Sequence, residues 1–248
     1  MYKNKSIAIA IVDTMQHTLA ANALYNSLSG FQFDQVLIYS NIQSHWGHHQ
    51  INLIEPIHNI NEYNEIIIQQ LPRDLLCDFV LIIQYDGFII NPHLFDPIFL
   101  NFDYIGAPWF HLDQYNVGNG GFSLRSKKLI NFVSQLSALD YNVPEDMLIC
   151  QNLRSAGILN KFSFAPQDLA NIFSYEHPKP SHDTFGFHGL FNLPYVYENN
   201  LDFLMDHICP STVFNKFNFL HNALSSLSLS HANRLKSIYD NYLSNHFH

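Results

Sequence analysis

Residues 79–87 read FVLIIQYDG, and this stretch decides the fold. Five consecutive apolar residues end abruptly in a polar group, which is typical of a buried strand at its carboxyl end. Residues 6–12 (SIAIAIV) and 35–39 (QVLIY) are similar apolar runs. Between them, apolar residues from Met15 to Leu28 recur at helical spacing, and Gly30 is a natural helix end. Strand, helix and strand within about 40 residues predict a βαβ unit and a parallel sheet.

Polar residues follow these strands at the edge where such sheets bind ligands. Thr14 and Tyr39 lie at the ends of the first two strands, and Gln84, Tyr85 and Asp86 follow the central one. We interpret them as candidates for holding a nucleotide. A helix cap or an Asp-Gly turn explains each of them equally well when it is taken alone.

Three later segments supply further candidates. Residues 117–126 read VGNGGFSLRS, and their three glycines allow a positive φ and a close approach of the backbone to a ligand. Residues 144–146 (PED) supply an acidic pair, and residues 185–189 (FGFHG) supply a histidine. A glycine hairpin, acids in the first turn of a helix and a structural histidine are the ordinary alternatives.

The bulk composition limits the class of protein. With 248 residues and a hydrophobic share of 47%, the chain forms one large α/β domain or one domain with an appendage. A net charge of −9, with 12 lysines and arginines and no basic cluster, argues against binding nucleic acid. Three widely spaced cysteines indicate reduced thiols, and no apolar run reaches membrane-spanning length. We expect a cytoplasmic protein, with peripheral attachment to the inner membrane left open.

The sequence also predicts the structure of two regions outside these motifs. Histidines 45, 48 and 49 predict a solvated loop more than a metal site, because no nearby carboxylate or cysteine completes a ligand set. From residue 202 onward the pattern predicts amphipathic helices. We therefore expect a domain over residues 1–200 and a helical extension over residues 201–248, which packs on the core or forms a homodimer face.

Taken in order, five strings resemble those of a bacterial family long catalogued only as a domain of unknown function, whose members look like GT-A glycosyltransferases. They are QYD (84–86), YIGAPW (104–109), GNGGFSLRS (118–126), ED (145–146) and FGFHG (185–189). The resemblance implies a GT-A-like single α/β domain: a mixed, mainly parallel central sheet flanked by helices, plus a helical C-terminal tail. It also implies a glycosyltransferase that moves a sugar from a nucleotide-sugar donor to a hydroxyl acceptor of a glycan or surface polysaccharide, with inversion.

The resemblance implies a role for each candidate residue. Asp146 is the expected general base, with Glu145 as a supporting contact, and Asp86 and His188 are the expected ligands of a divalent metal at the donor diphosphate. Trp109 and Phe187 are expected to contact the acceptor. Together with the strand-end candidates, the expected donor contacts are Thr14, Tyr39, Gln84, Tyr85, Asp86, Gly118, Asn119, Gly120, Gly121 and Arg125.

Gln84 departs from the Asp-x-Asp metal motif of GT-A enzymes, so one negative charge is missing. Mn²⁺ or Mg²⁺ can still bind to Asp86, His188 and a diphosphate, and an imidazole ligand favours Mn²⁺. Metal-independent transfer, with Arg125 offsetting the charge of the leaving group, is the alternative. A non-catalytic nucleotide-sugar-binding module and a sugar-phosphate nucleotidyltransferase also stay open. The absence of Gly, Lys and Arg from residues 13–17 counts against the nucleotidyltransferase.

Overall fold

The computed structural model of the protein describes residues 5–110, 114–176 and 183–246. A six-stranded sheet with the order β3-β2-β1-β4-β6-β5 forms its centre. The strands are β1 Ile7–Val12, β2 Gln35–Ser40, β3 Asn52–Leu53, β4 Phe79–Ile83, β5 Tyr104–Gly106 and β6 Ser123–Ser126. Strand β6 pairs antiparallel with both β4 and β5, while β1 to β4 pair parallel. The predicted α/β class, with a mixed and mainly parallel sheet, is confirmed.

Helices and a second, two-stranded sheet surround this centre. The helices are α1 His17–Gly30, α2 Ile60–Glu65, α3 Leu71–Asp74, α4 Lys127–Ser134, α5 Glu145–Met147, α6 Gln167–Phe173, α7 Leu193–Val196, α8 Leu201–His207, α9 Pro210–Leu227 and α10 Leu229–His246. π-Helical turns at Ile66–Gln70 and Leu148–Leu153 continue α2 and α5. The small sheet consists of β7 Ser174–Tyr175 and β8 Gly186–Phe187.

The residues of β1 alternate between two packing layers. Ile7, Ile9 and Ile11 pack in one cluster with side chains of α1 and α6, whereas Ala8 and Ala10 pack in another with α2, α3 and the turn between them. Because side chains alternate across a strand, the two clusters cover opposite faces of the sheet. Each fully buried isoleucine contributes about 1.5–3 kcal/mol of hydrophobic stabilisation, before the entropy of ordering is subtracted.

The small sheet lies beside the end of the central strand. The N–H of His188 donates to the carbonyl of Tyr175 at 2.9 Å, and the N–H of Gly189 donates to the carbonyl of Asp86 at 2.8 Å. These bonds hold the end of β8 against the turn that follows β4. Segments far apart in the sequence thus meet at the edge of the main sheet where β1 and β4 end.

The C-terminal helices share one hydrophobic cluster with the α/β core. Leu204, Leu220 and Leu224 pack in this cluster together with Leu19 of α1 and Phe88. The expected domain boundary at residue 200 and the expected dimer face stay predictions. Within the described ranges, no helix combines the length and the apolar composition that crossing a bilayer requires. The cellular location stays a prediction as well.

Candidate active site

A tight turn after β4 places the carboxylate of Asp86. The N–H of Gln84 donates to the carbonyl of Gly87 at 2.8 Å, and the reverse bond measures 3.1 Å. Asp86 is 8% exposed, and its Oδ1 has no hydrogen-bond partner among the described residues. Burial raises the pKa of this carboxyl above its ordinary value. Leaving a buried polar oxygen unpaired costs free energy, so Oδ1 is suited to an added hydrogen-bond donor or cation.

His188 lies against this carboxylate and is oriented by Glu176. Its Nε2 is 3.9 Å from Asp86 Oδ1 and 3.3 Å from Gln84 Oε1, and its Nδ1 is 3.3 Å from Glu176 Oε1. Burial by itself lowers the pKa of His188. The hydrogen bond to Glu176 and the charges of Asp86, Glu176 and Asp146 outweigh that effect and raise the pKa. In its protonated form the ring donates from Nδ1 to Glu176 and from Nε2 to Gln84. A cation bound at Nε2 would replace the proton on that nitrogen.

The predicted glycine loop packs directly on the imidazole. A Cβ on Gly121 would lie 2.1 Å from His188 Nε2 and 2.6 Å from Gln84 Oε1. Asn119 holds the loop, because its Nδ2 donates to Glu176 Oε2 at 2.9 Å and its Oδ1 accepts from the N–H of Gly121 at 3.1 Å. Gly118, Gly120 and Gly121 have no positive φ, so this part of the predicted reason for the glycines was wrong. Glycine is needed at position 121 because only it allows this close approach.

Asp146 of α5 contacts the neighbouring residue of this loop, Gly120. Its Oδ2 accepts from the N–H of Gly120 at 2.9 Å, and its Oδ1 accepts from the N–H of Met147 at 2.7 Å. Burial and the charge of Glu145 raise the pKa of Asp146 to about 6, against the effect of these two hydrogen bonds. A half-buried carboxylate that titrates close to neutrality has the protonation behaviour of a general base.

Arg125 and Glu145 form a buried ion pair behind the loop. Arg125 Nη1 donates to Glu145 Oε2 at 2.6 Å, and Nη2 donates to Oε1 at 2.8 Å. The two residues are 0% and 3% exposed. This placement disagrees with the predicted donor contact of Arg125 and the predicted acceptor contact of Glu145, because each side chain is bound to the other and has almost no free surface. The pair instead supports the loop, since Gly120 C=O accepts from Ser123 Oγ at 2.9 Å and Arg125 Nε donates to the same Oγ at 2.9 Å.

Three aromatic residues that were predicted to contact the donor or the acceptor are buried in the hydrophobic core. Tyr39 is fully buried, and its hydroxyl donates to Asp74 Oδ2 at 2.8 Å. Trp109 and Phe187, at 8% and 0% exposure, lie inside two different hydrophobic clusters. Their placement disagrees with predicted roles in donor or acceptor binding. Residue type alone misled here, because a buried aromatic ring has no face left for a sugar.

Three further residues that were predicted to bind the donor make contacts within the protein instead. The Oγ1 of Thr14 accepts from the N–H of Ile57 at 2.9 Å. The carbonyl of Gly118 accepts from the Tyr104 hydroxyl at 2.6 Å, and a Cβ on Gly118 would strike Trp109. Tyr85 is half-buried and packs against two core clusters. Gly118 thus faces the core, whereas Thr14 and Tyr85 keep some exposed surface.

A cavity of about 260 Å³ opens onto the Asp86–His188 pair. Its lining residues are Asp86, Glu176, His188, Gly189, Leu190, Phe191, Lys216 and Phe219. Sequence reasoning missed Glu176 and Lys216, because neither lies in a motif and both reach the site through tertiary packing. Four larger clefts among the described residues, of about 530, 520, 460 and 360 Å³, are lined by none of the predicted site residues. In the described ranges, no three His, Cys, Asp or Glu side chains converge closely enough to hold a metal unaided. The side chains of His45 and His48 are exposed in their loop.

The chain is similar to several solved structures at low sequence identity. A glycosyltransferase involved in the glycosylation of the major capsid of PBCV-1 is 11% identical, with 75% of this chain and 93% of that chain covered and a TM-score of 0.49. Glucosyl-3-phosphoglycerate synthase from Mycobacterium tuberculosis, in complex with Mn²⁺, UDP-glucose and glycerol 3-phosphate, is 10% identical, with coverage of 68% and 76% and a TM-score of 0.44. A197 from STIV is 10% identical, with coverage of 60% and 78% and a TM-score of 0.36. These likenesses are too distant to transfer residue roles.

No curated protein matches the chain in sequence. Residues 49–188, which are more than half of the chain, match a family described as "Protein of unknown function (DUF5672)". That range includes the turn after β4, the glycine loop, Asp146, Glu176 and His188. The chain therefore belongs to this family of unknown function.

Proposed function

We propose that the protein is a glycosyltransferase that takes a sugar from a nucleotide-sugar and transfers it to a hydroxyl of a glycan or surface polysaccharide, with inversion. One observation carries the proposal: Asp86 Oδ1 is buried, has no hydrogen-bond partner among the described residues, and lies 3.9 Å from His188 Nε2. The pair is at the carboxyl end of the central strand, where open α/β sheets bind their ligands. A cation bound to a diphosphate would give that oxygen its missing partner.

The residues around Asp86 fit a divalent cation. Asp86 offers a hard carboxylate oxygen and His188 an imidazole nitrogen, and such a mixed set suits Mn²⁺ better than Mg²⁺. Glu176 binds the other ring nitrogen of His188, which is the usual way in which proteins orient a ligating imidazole. When bound, the cation would stabilise the negative charge of the leaving diphosphate. With these two side chains as ligands, the diphosphate has to complete the coordination.

Asp146 acts as the general base in this proposal. Its carboxylate, with a pKa raised to about 6, is mostly ionised at pH 7. It accepts the proton of the acceptor hydroxyl while that oxygen attacks the anomeric carbon, and the diphosphate leaves from the opposite face. Such a base is typically worth about 10²–10⁴-fold in rate. Gly120 binds Asp146 and the next residue, Gly121, touches His188, so the loop sets the spacing between base and leaving group.

The test is release of nucleoside diphosphate from a panel of nucleotide-sugars, with Mn²⁺ or with EDTA. At least one donor should be hydrolysed with Mn²⁺ and should raise the melting temperature, because a ligand that binds the native state stabilises it. Asp86→Asn should lose both effects. Asp146→Asn should keep the thermal shift and lose about 10²–10⁴-fold in transfer. The control Asp240→Asn, at an exposed ion pair with Lys236 on α10, should behave as wild type.

Each of the following outcomes would contradict one part of the proposal. Donor binding without any turnover points to a non-catalytic binding module. Consumption of a nucleoside triphosphate with a sugar phosphate points to a nucleotidyltransferase. Full turnover in EDTA eliminates the cation, and full turnover in Asp146→Asn eliminates Asp146 as the base.

A further inference from the structure

The C-terminal helix α9 forms part of the wall of the candidate active site. Lys216 and Phe219 of this helix line the 260 Å³ cavity on whose other side Asp86, Glu176 and His188 lie. The helix lies far beyond the family match, which ends at residue 188. Part of the cavity wall thus comes from a segment that none of the sequence motifs includes.

Helix α9 is kinked at the residue that enters this cavity. Lys216 has φ −127° and ψ 20°, which is not helical, although the residues on both sides continue the helix. No proline or glycine lies near this position to cause the kink. Val213 and Leu220, on either side of the kink, are buried at 0% and 1% exposure. Lys216 itself is exposed, and it lines the cavity.

The ammonium group of Lys216 is available to a ligand. It forms no hydrogen bond and no ion pair with any of the described residues. Two carboxylates, those of Asp86 and Glu176, line the same cavity without pairing with it. A lysine that lines a cavity and pairs with neither of its carboxylates is positioned for an anion that enters from solvent.

The start of α9 is tied to the ligand-binding edge of the sheet. Gln16, 3% exposed, follows β1; its Nε2 donates to Thr212 Oγ1 at 2.7 Å and its Oε1 accepts from the N–H of Cys209 at 3.1 Å. Both polar atoms of this amide are thereby used to hold the first turn of α9. The helix is thus attached to the core within about one turn of the kink at Lys216.

We propose that Lys216 binds a phosphate group of the substrate, so that the C-terminal extension completes the active site. The inference rests on the proposed function, which supplies one source of phosphate, the diphosphate of the donor; a phosphate group on the acceptor would be a second source. Phe191 and Phe219, whose ring centroids are 6.4 Å apart, form the apolar side of the cavity. Phe219 is 58% exposed and offers a face to a sugar ring or another flat apolar group.

The experiment is calorimetric titration of the full-length protein, in the presence of Mn²⁺, with inorganic pyrophosphate, uridine diphosphate, guanosine diphosphate and glycerol 3-phosphate. Lys216→Gln should weaken pyrophosphate binding by about 10- to 100-fold, the amount expected for one charge-assisted contact. Lys216→Arg, which keeps the charge, should retain most of the affinity. Lys236→Gln, which removes an exposed lysine of α10, is the matched control and should change nothing. Melting temperatures of all variants check that they are folded.

The ligand series separates the two sources of phosphate. If Lys216→Gln also weakens binding of a nucleoside diphosphate, Lys216 binds the donor; if it weakens only glycerol 3-phosphate, Lys216 binds an acceptor phosphate. Equal affinities of wild type and Lys216→Gln for all four ligands, or no binding by wild type, would overturn the proposal. Failure of the proposed function looks different: no nucleotide-sugar would be turned over, while the effect of Lys216→Gln on pyrophosphate would persist.

Discussion

Replacing Glu145 by glutamine should destabilise the protein far more than the loss of a surface charge. Glu145 is 3% exposed and accepts two hydrogen bonds from Arg125, at 2.6 and 2.8 Å, from a guanidinium that is 0% exposed. The amide of Glu145→Gln has the same size, but it carries no charge and has one acceptor oxygen. Arg125 then stays buried with an uncompensated charge and one donor without its partner.

The expected loss follows from these contacts. Each charge-assisted bond contributes roughly 1.5–3 kcal/mol, and breaking a buried ion pair on one side costs about 3–5 kcal/mol. We therefore expect Glu145→Gln to lower the free energy of unfolding by about 3–5 kcal/mol, a large share of the ~5–15 kcal/mol of a typical domain. Removing both charges with Arg125→Met and Glu145→Leu should restore much of the loss, because apolar residues of similar volume can replace such a pair.

Urea unfolding followed by tryptophan fluorescence is a suitable assay. Trp46 and Trp109 are 0% and 8% exposed, so both report the loss of the core. Asp202→Asn is the control, because its carboxylate, 78% exposed, accepts from Arg234 at the surface and should contribute less than about 1 kcal/mol. A loss below about 1 kcal/mol in Glu145→Gln would refute the reasoning, since it would mean that Arg125 has found water or another acceptor.

Three further predictions concern pH and the glycine loop. Transfer should fall about tenfold per pH unit below pH 6 as Asp146 becomes protonated, and it should level off near neutrality. The free energy of unfolding should change in the opposite direction, and should rise as the pH falls. Burial raises the pKa of Asp13 and of Asp146 to about 6, so the folded state binds more protons than the unfolded state between their ordinary and raised values. The urea midpoint should thus be higher at about pH 5 than at about pH 7.5, with a smaller difference in Asp13→Asn; an unchanged midpoint contradicts the burial of these carboxyls. Gly121→Ala should displace His188, which its Cβ would meet at 2.1 Å, and should lower transfer at least about tenfold; wild-type turnover would show that the imidazole is not needed there.

Much of the fold was readable from local pattern. The apolar runs in residues 6–12 and Phe79–Ile83 are the buried strands β1 and β4, and polar residues follow both strands at their carboxyl ends. The strings around Asp86, Gly121, Asp146 and His188 also meet in space. Strand periodicity and the geometry of parallel sheets act over short stretches of chain, so a single sequence carries them directly.

The roles of individual side chains were less predictable. Arg125, Trp109 and Phe187 occupy the predicted motifs, yet packing places all three in the interior. Aromatic residues make up 15% of this chain, so an aromatic residue in a motif is weak evidence of a binding surface. Whether a side chain faces solvent depends on which elements cover it, and that coverage comes from segments distant in the sequence.

By itself, the sequence determined the order of the first strands along the chain, the edge of the sheet at which a ligand is expected, and the four motifs predicted to meet there. Only the tertiary structure decided that Glu176 orients His188, that Glu145 forms a buried ion pair with Arg125, and that Lys216 lines the cavity. The physical reason is that hydrophobic periodicity is a local property of the chain. The pairing of buried charges and the walls of a cavity are set by long-range packing, which no local pattern encodes.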